Sequence, residues 1–210
     1  MTLTDVLAIV AGYLLGSMPW GYWLPLLLTR TDVRAHGSGG TGAANVWRTV
    51  GFKIGLAVAL LDVAKGAAAA LLGVWSGGEE VGLAAGIAAM AGHWRPLFLG
   101  LARGGKIVAT TGGVALALLL LPTLAAAAVW VGAFLTTRYT SVASMLAAVA
   151  LPVFALLLDE PLSAVVFAVG AAVAILVLHR ANIGRLVRGT ENRFELRSRR
   201  AAAQRGGHVG

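Results

Sequence analysis

Residues 107–137 read IVATTGGVALALLLLPTLAAAAVWVGAFLTT, an uncharged run that lies between Lys106 and Arg138. About 31 residues of helix, at about 1.5 Å each, extend ~46 Å, which is too long for one crossing of a hydrocarbon core and barely enough for two short ones. Basic residues flank both ends, and such residues collect on one side of a membrane, so the run crosses twice or not at all. We predict two short helices that meet at a turn at Pro122; the alternative is a re-entrant segment.

The composition places the whole chain in the same class. Its 210 residues are 58% hydrophobic and 12% charged, with a mean hydropathy of +0.82, which is typical of an integral membrane protein. The chain has no cysteine, which excludes disulfides, thiolate zinc sites and a cysteine nucleophile. The net charge of +8 does not indicate nucleic-acid binding, because the basic residues alternate with apolar runs at membrane-thickness spacing. The expected partner is therefore the lipid bilayer, with no nucleic acid.

The other apolar runs and the charges between them predict the topology. Basic residues dominate some connections, whereas Glu79, Glu80, Asp159 and Glu160 stand alone in the others, so the basic connections are predicted to be cytoplasmic. The result is an all-α integral membrane protein of seven transmembrane helices with the N-terminus outside and the C-terminus in the cytoplasm. A re-entrant 107–137 segment would reduce the number of spans to five. The predicted helices are 5–28, 52–75, 81–100, 107–121, 123–137, 141–158 and 161–179.

Two further expectations concern the ends of the chain. Its N-terminus, MTLTD, lacks the basic region of a signal peptide, and the apolar run that follows is long enough to span, so the first helix is expected to stay in the mature protein. We predict one transmembrane domain at 1–194 and a basic, disordered tail at 195–210. Such a protein would be a multi-pass protein of the inner cell membrane, and we expect a monomer.

Four glycine-rich or polar connections fall on the predicted cytoplasmic side. They are HGSGGTGAANVWR at 36–48, RGGK at 103–106, TRYTS at 137–141 and HRAN at 179–182. Glycine-rich loops and helix N-termini point backbone N–H groups at anions, and Arg48 and Lys106 add full charges. The pattern predicts a site for a phosphorylated substrate at the membrane surface.

Simpler interpretations hold for several other residues. The basic residues Arg30, Arg34 and Lys53, and the arginines of the tail, are expected to set topology only. Asp62 and Lys65, three positions apart on one helix, are predicted to neutralise each other inside the bundle. The segment from Gly100 to Lys106 matches the start of a P-loop, but isoleucine occupies the hydroxyl position and no strand is predicted before it, so no nucleotide site is inferred.

Six blocks of sequence closely resemble the bacterial acyl-phosphate:glycerol-3-phosphate acyltransferase family, nearly from end to end. They are GYLLGSMPWGY at 12–22, HGSGGTGAANVWRTVG at 36–51, LLDVAKG at 60–66, GHWRPLFLGLARGGKIVAT at 92–110, TRYTSVAS at 137–144 and LHRANIGRLVRGTENRF at 178–194. The resemblance implies transfer of a fatty acyl group from acyl phosphate to the 1-hydroxyl of glycerol 3-phosphate, giving lysophosphatidic acid and phosphate. It implies no metal and no cofactor. It also implies an acyltransferase function for the 1–194 domain.

The resemblance also implies roles for particular residues. It assigns Ser38, Ser141 and His179 to the catalytic site and assigns Arg48, Lys106 and Asn182 to binding glycerol 3-phosphate. The backbones of Gly39, Gly40, Gly104 and Gly105 are expected to contribute to substrate binding. The proton acceptor is either a substrate phosphate oxygen or His179. Acyl-CoA-dependent glycerolipid acyltransferases use a histidine and an aspartate five residues apart. No histidine of this chain is followed by an aspartate at that spacing, so acyl-CoA is not expected as donor.

The chain departs from the family pattern at a few positions. Glycine stands at position 40 where the family has Asn, and alanine at position 44 where it has Thr; the other departures are Arg95, Arg103 and Ile107. Loss of two polar side chains beside the predicted phosphate site implies reduced activity or a shifted substrate. The alternatives are a paralogue that acts on another phosphorylated polyol and a membrane protein that binds or transports phosphate without catalysis.

Overall fold

The computed structural model describes residues 1–194, and helices account for all of their regular secondary structure. The all-helical prediction is therefore confirmed for this part of the chain; the tail at 195–210 lies outside the described residues. Ten α-helices follow one another with two short 3₁₀ turns, Val33–Ala35 and Leu97–Leu99. The helices are α1 (Leu3–Gly16), α2 (Trp20–Thr29), α3 (Ala43–Val50), α4 (Phe52–Gly77), α5 (Glu79–Trp94), α6 (Val108–Leu118), α7 (Leu120–Thr137), α8 (Thr140–Leu157), α9 (Leu162–Leu178) and α10 (Arg180–Val187).

The predicted helix 5–28 is wrong as a continuous element. Thr2 and Asp5 form a capping box that starts α1, but the helix ends at Gly16 and a new helix begins at Trp20. Pro19 precedes α2 and lacks the N–H that a continuous helix would need at that position. A second proline, Pro25, lies inside α2 and is fully buried.

The break in the 107–137 run is confirmed, but its position differs from the prediction. Leu119, with φ −135° and ψ 58°, separates α6 from α7, and Pro122 lies in the first turn of α7. Proline is tolerated there because the first N–H groups of a helix have no intrahelical acceptor. The predicted 81–100 helix is also too long: α5 ends at Trp94, two residues before Pro96.

Four segments of residues 1–194 are long and apolar enough to cross a membrane: Leu3–Thr29, α4, α7 and α8. A fifth arises if α9 and α10, bent by 55° at His179, count as one broken span, and α6 is a shorter apolar helix. Seven spans and the orientation of the termini therefore stay predictions.

Helix α4 lies at the centre of one half of the bundle and packs against α1, α5 and α6, whereas α7, α8 and α9 pack side by side in the other half. Glycines permit the close approach of α4 and α6: Gly66 faces the backbone of Thr110, and Gly113 faces the backbone of Val63. A buried cluster of apolar side chains from α4 to α9 joins the two halves. The connections that end near α3, α6, α8 and α10 meet over a cavity between them.

Candidate active site

The loop before α3 is folded around one buried amide. The Asn45 Nδ2 group donates hydrogen bonds to the carbonyls of Val33 (3.0 Å), His36 (3.2 Å) and Gly40 (2.9 Å), and its Oδ1 accepts one from the Ser38 N–H (3.0 Å). The sequence predicted no role for Asn45, although this residue lies in the 36–51 block that resembles the family. Its position seven residues after Ser38 lets the first turn of α3 fix the Ser38 backbone.

The glycines of the site use their N–H groups in different ways. The N–H groups of Gly39, Gly104 and Gly105 donate to the carbonyls of His36 (3.0 Å), Trp94 (3.0 Å) and His93 (3.1 Å) instead of pointing at an anion. Only Gly40 of the four expected glycines has an N–H without an acceptor among residues 1–194. The structural role of the others is to let loops turn and approach closely; Gly39, for example, has a left-handed φ of 68°.

A buried carboxylate links three of the predicted site residues. Glu191 Oε1 accepts hydrogen bonds from Asn182 Nδ2 (2.6 Å) and Ser141 Oγ (2.8 Å), and Asn182 Oδ1 accepts one from Lys106 Nζ (2.8 Å). The other carboxylate oxygen pairs with Arg185 Nε at 2.7 Å. Burial alone would raise the pKa of Glu191, but the hydrogen bonds from Asn182, Ser141 and Arg185 lower it below its ordinary value, so Glu191 is ionised.

Glu191 and Arg185 are residues that sequence reasoning missed. Arg185 belongs to the basic segment after His179, and Glu191 is the single acid of the 178–194 block. One signal was available: an isolated glutamate among arginines, at the end of a block that resembles the family. Its role depends on the chain returning to α8, which no local pattern reveals.

Arg48 extends from α3 toward the N-terminus of α8. One guanidinium nitrogen donates to Thr140 Oγ1 at 3.0 Å, and the guanidinium lies 4.7 Å from the ring centroid of Phe194. Its Nε–H is buried without a hydrogen-bond partner among residues 1–194. Burial lowers the pKa of Arg48 from its ordinary value, but a guanidinium remains charged at neutral pH. Arg48 therefore keeps an unused donor and a full charge for an anionic ligand.

Lys106 and His179 have shifted pKa values that fit them for different tasks. Burial lowers the pKa of Lys106 to about 8, so the ammonium is mainly protonated at neutral pH. His179 follows the end of α9, and burial together with the charge of Lys106 lowers its pKa to about 4, so the imidazole is neutral. Its Nδ1 lies 2.8 Å from the Ile175 carbonyl, which can only accept, and this leaves Nε2 as the nitrogen with a free lone pair.

These groups open onto a single cavity of about 640 Å³ between the two halves of the bundle. All six side chains predicted for the site line it, as do Gly40, Gly104 and Gly105, whereas Gly39 lies beside it in the loop. The six are Ser38, Arg48, Lys106, Ser141, His179 and Asn182. Away from these polar groups the walls are mainly apolar side chains of α4, α6, α7, α8 and α9, which reach Leu151 on α8. From Ser141 to Leu151 the helical rise is about 15 Å, enough to accommodate a long hydrocarbon chain.

The predicted pair of Asp62 and Lys65 is present, with Lys65 Nζ 2.8 Å from Asp62 Oδ1. A third residue joins it: His93 Nδ1 lies 3.4 Å from the same carboxylate oxygen. Asp62 and His93 also line the main cavity beneath the Gly104–Lys106 turn.

Comparisons with known proteins agree with the geometry. The family model described as glycerol-3-phosphate acyltransferase matches residues 6–189. A glycerol-3-phosphate acyltransferase of Desulforamulus reducens is 42% identical over 190 residues, which are 90% of this chain and 94% of that protein.

Two crystal structures of PlsY (YgiH), an integral membrane glycerol 3-phosphate acyltransferase, have the same fold. The glycerol 3-phosphate form is 38% identical, with a TM-score of 0.86 over 91% of this chain and 96% of that one. The lysophosphatidic acid form is 37% identical, with a TM-score of 0.84 over 91% and 95% of the two chains. The chain belongs to the glycerol-3-phosphate acyltransferase family.

Proposed function

We propose that this protein transfers a fatty acyl group from acyl phosphate to the 1-hydroxyl of glycerol 3-phosphate, giving lysophosphatidic acid and inorganic phosphate. The observation that carries the proposal is the shape of this cavity: a polar end with Arg48, Lys106 and hydroxyl groups continues into a mainly apolar end between α6, α7, α8 and α9. Lysophosphatidic acid has a phosphate headgroup and a hydrocarbon chain, so a site that makes it needs both a polar end and an apolar end. Similar proteins have been crystallised in glycerol 3-phosphate and lysophosphatidic acid forms, which supports the same acceptor and product here.

The chemistry needs no protein nucleophile, because acyl phosphate is already a mixed anhydride. The acceptor hydroxyl attacks the acyl carbonyl carbon, the bond from that carbon to the phosphate oxygen breaks, and phosphate leaves with the electron pair. Arg48 and Lys106 hold the glycerol phosphate, while Ser38, Ser141 and the Gly40 N–H lie ready for the donor's phosphoryl group. The catalytic contribution is then positioning and charge stabilisation.

The hydroxyl proton has two candidate acceptors, His179 Nε2 and a phosphate oxygen of the substrate. A phosphate monoester has a second pKa of ~6 in water, and without substrate the pKa of His179 is lowered to about 4, which makes its imidazole a weak base. We assign the proton to the phosphate and a hydrogen-bonding role to His179.

The test is an assay of the purified protein with acyl phosphate and glycerol 3-phosphate, with acyl-CoA as the comparator donor. We expect phosphate release and lysophosphatidic acid formation with acyl phosphate only. Equal rates with acyl-CoA would refute the donor assignment. Activity with another phosphorylated polyol at a higher kcat/KM would identify a divergent paralogue, and binding of phosphate without transfer would favour the non-catalytic alternative.

We further propose seven spans, a monomer, and a site on the cytoplasmic face of the inner cell membrane, supported by the basic connections beside the cavity. The chain contains no cysteine, so single cysteines at Arg103 and Glu80 can be labelled in sealed vesicles of known orientation. The two positions are expected to react from opposite sides, with position 103 cytoplasmic. Reaction of position 103 from the periplasmic side would overturn the topology.

A further inference from the structure

We propose that Asp62 and His93 together are positioning residues that hold the Gly104–Gly105–Lys106 turn, and through it set the place of Lys106. The inference rests on the proposed function, in which Lys106 binds the phosphate of glycerol 3-phosphate. Neither Asp62 nor His93 belongs to the predicted set of site residues.

The first step is the arrangement of the buried charges. Asp62, Lys65 and His93 are only 2%, 5% and 6% exposed. Lys65 Nζ pairs with Asp62 Oδ1 at 2.8 Å and donates to the Met18 carbonyl at 2.9 Å, so this cation is already satisfied. Neutralising Lys65 does not require His93, yet His93 Nδ1 lies 3.4 Å from the same oxygen. Burying three ionisable groups is unfavourable unless each is paired, which indicates a role for the third.

The second step is the contact between His93 and the turn. The Gly105 N–H donates to the His93 carbonyl at 3.1 Å, and the Gly104 N–H donates to the Trp94 carbonyl at 3.0 Å. The His93 imidazole lies so close to Gly105 that a Cβ at position 105 would overlap its Nε2. Backbone and ring of His93 therefore both contact the turn, and the ring in turn lies against the Asp62 carboxylate.

The third step is the strain on the far side of Lys106. Ile107 has a left-handed φ of 61°, a region that β-branched residues rarely adopt. Its side chain is 4% exposed and packs in the main hydrophobic cluster, which holds the turn from the α6 side. The turn is thus held between two supports, His93 before Lys106 and Ile107 after it. Loss of the His93 support would let the strained segment relax and would displace the Lys106 ammonium from Asn182.

The experiment compares three variants. His93→Ala removes the ring. Asp62→Asn combined with Lys65→Met removes both charges of the pair, so neither partner is left without its counter-ion. His93→Asn keeps an amide donor near the Nδ1 position and is the conservative variant. Asp5→Asn, which alters a buried carboxylate in the first turn of α1, is the matched control. For each protein the KM of both substrates, the kcat, the melting temperature and the affinity for glycerol 3-phosphate by calorimetry are measured.

We expect His93→Ala and the double variant to raise the KM and the Kd of glycerol 3-phosphate roughly 10- to 100-fold, with the KM of acyl phosphate within about twofold of wild type. His93→Asn should fall between His93→Ala and wild type, and Asp5→Asn should leave both constants unchanged. Unchanged glycerol 3-phosphate constants in the folded variants, or a fall in melting temperature alone, would overturn the proposal, as would equal changes for both substrates. If His93→Ala does not fold, the other two variants decide in the same way.

Failure of the proposed function gives a different result. A wild-type protein that binds glycerol 3-phosphate but transfers no acyl group would refute the proposed function, while the calorimetric comparison would still decide the role of Asp62 and His93. A wild-type protein that binds no glycerol 3-phosphate would refute both.

Discussion

Glu191→Gln is the substitution that most directly tests the polar end of the cavity. The change keeps the shape of the side chain and removes its charge. A glutamine oxygen can still accept from Asn182 and Ser141, but its NH₂ group then faces the Nε–H of Arg185, where the carboxylate now makes a 2.7 Å ion pair. The variant therefore loses the charge-assisted hydrogen bond from Arg185 to the carboxylate, and the glutamine NH₂ and the Arg185 Nε–H, both donors, face each other.

The size of the effect follows from that bond. A hydrogen bond to a charged group is worth about 1.5–3 kcal/mol, and each 1.4 kcal/mol is about tenfold, so kcat/KM should fall roughly 10- to 150-fold. A second effect concerns Lys106. The charge of Glu191 opposes the lowering of the Lys106 pKa by burial, so its loss should lower that pKa further below about 8. The pH above which glycerol 3-phosphate binding weakens should shift downward in the variant.

The assay is phosphate release from acyl phosphate at varied glycerol 3-phosphate, from pH 6.5 to pH 9. Glu80→Gln, which alters an exposed acid in the first turn of α5, is the matched control and should behave as wild type. A Glu191→Gln protein that is folded, within about twofold of wild-type kcat/KM and unshifted in its pH profile would show that the buried network does not organise the site.

Further outcomes follow from the same geometry. The KM of glycerol 3-phosphate should rise as the pH passes about 8 and Lys106 loses its proton, whereas a flat profile to pH 9.5 would contradict its role. Arg48→Ala should lose about 2–5 kcal/mol in acceptor kcat/KM, against little change for the exposed Arg30→Ala; equal kinetics for the two variants would contradict this. Gly40→Asn with Ala44→Thr should raise the steady-state rate at saturating donor, because each restored hydrogen bond is worth about 0.5–3 kcal/mol; no gain in a folded variant would favour a divergent substrate.

The spacing of apolar residues was sufficient to predict the long helices, since α4, α8 and α9 begin and end within about two residues of the predicted bounds. It was insufficient where a helix stops without a charged residue. The break before α2 depends on Pro19, and the break before α7 depends on the backbone at Leu119. The short helix α3 was missed because it follows a glycine-rich loop and is amphipathic, so it resembles a connection more than a span.

The site residues were predictable to the extent that they occur in segments with unusual composition. The segments are glycine-rich or polar, and the structure brings five of their residues to one cavity: Ser38, Arg48, Lys106, Ser141 and His179. Their supports were not predictable, because each depends on how the chain folds back on itself: Asn45 of α3 against the loop before it, Glu191 against α8, and His93 against the Gly104–Lys106 turn. Sequence patterns identify groups that bind, whereas the residues that hold them are determined by packing.

The balance of charge explains why such a cavity selects a phosphorylated substrate. Arg48, Arg103 and Lys106 line its polar end, and Glu191, which is hydrogen-bonded to Ser141 and Asn182, is paired with Arg185. Cations that are partly removed from water without a counter-ion are unfavourable, which is why burial lowers the pKa of both Arg48 and Lys106. A dianionic phosphate would supply the missing counter-charge, and its binding would stabilise the charged forms of Arg48 and Lys106. Under the proposed function the backbone of the Gly40 loop contributes one N–H and charge pairing dominates recognition, so we expect the absence of an Asn side chain at position 40 to weaken the site without abolishing it.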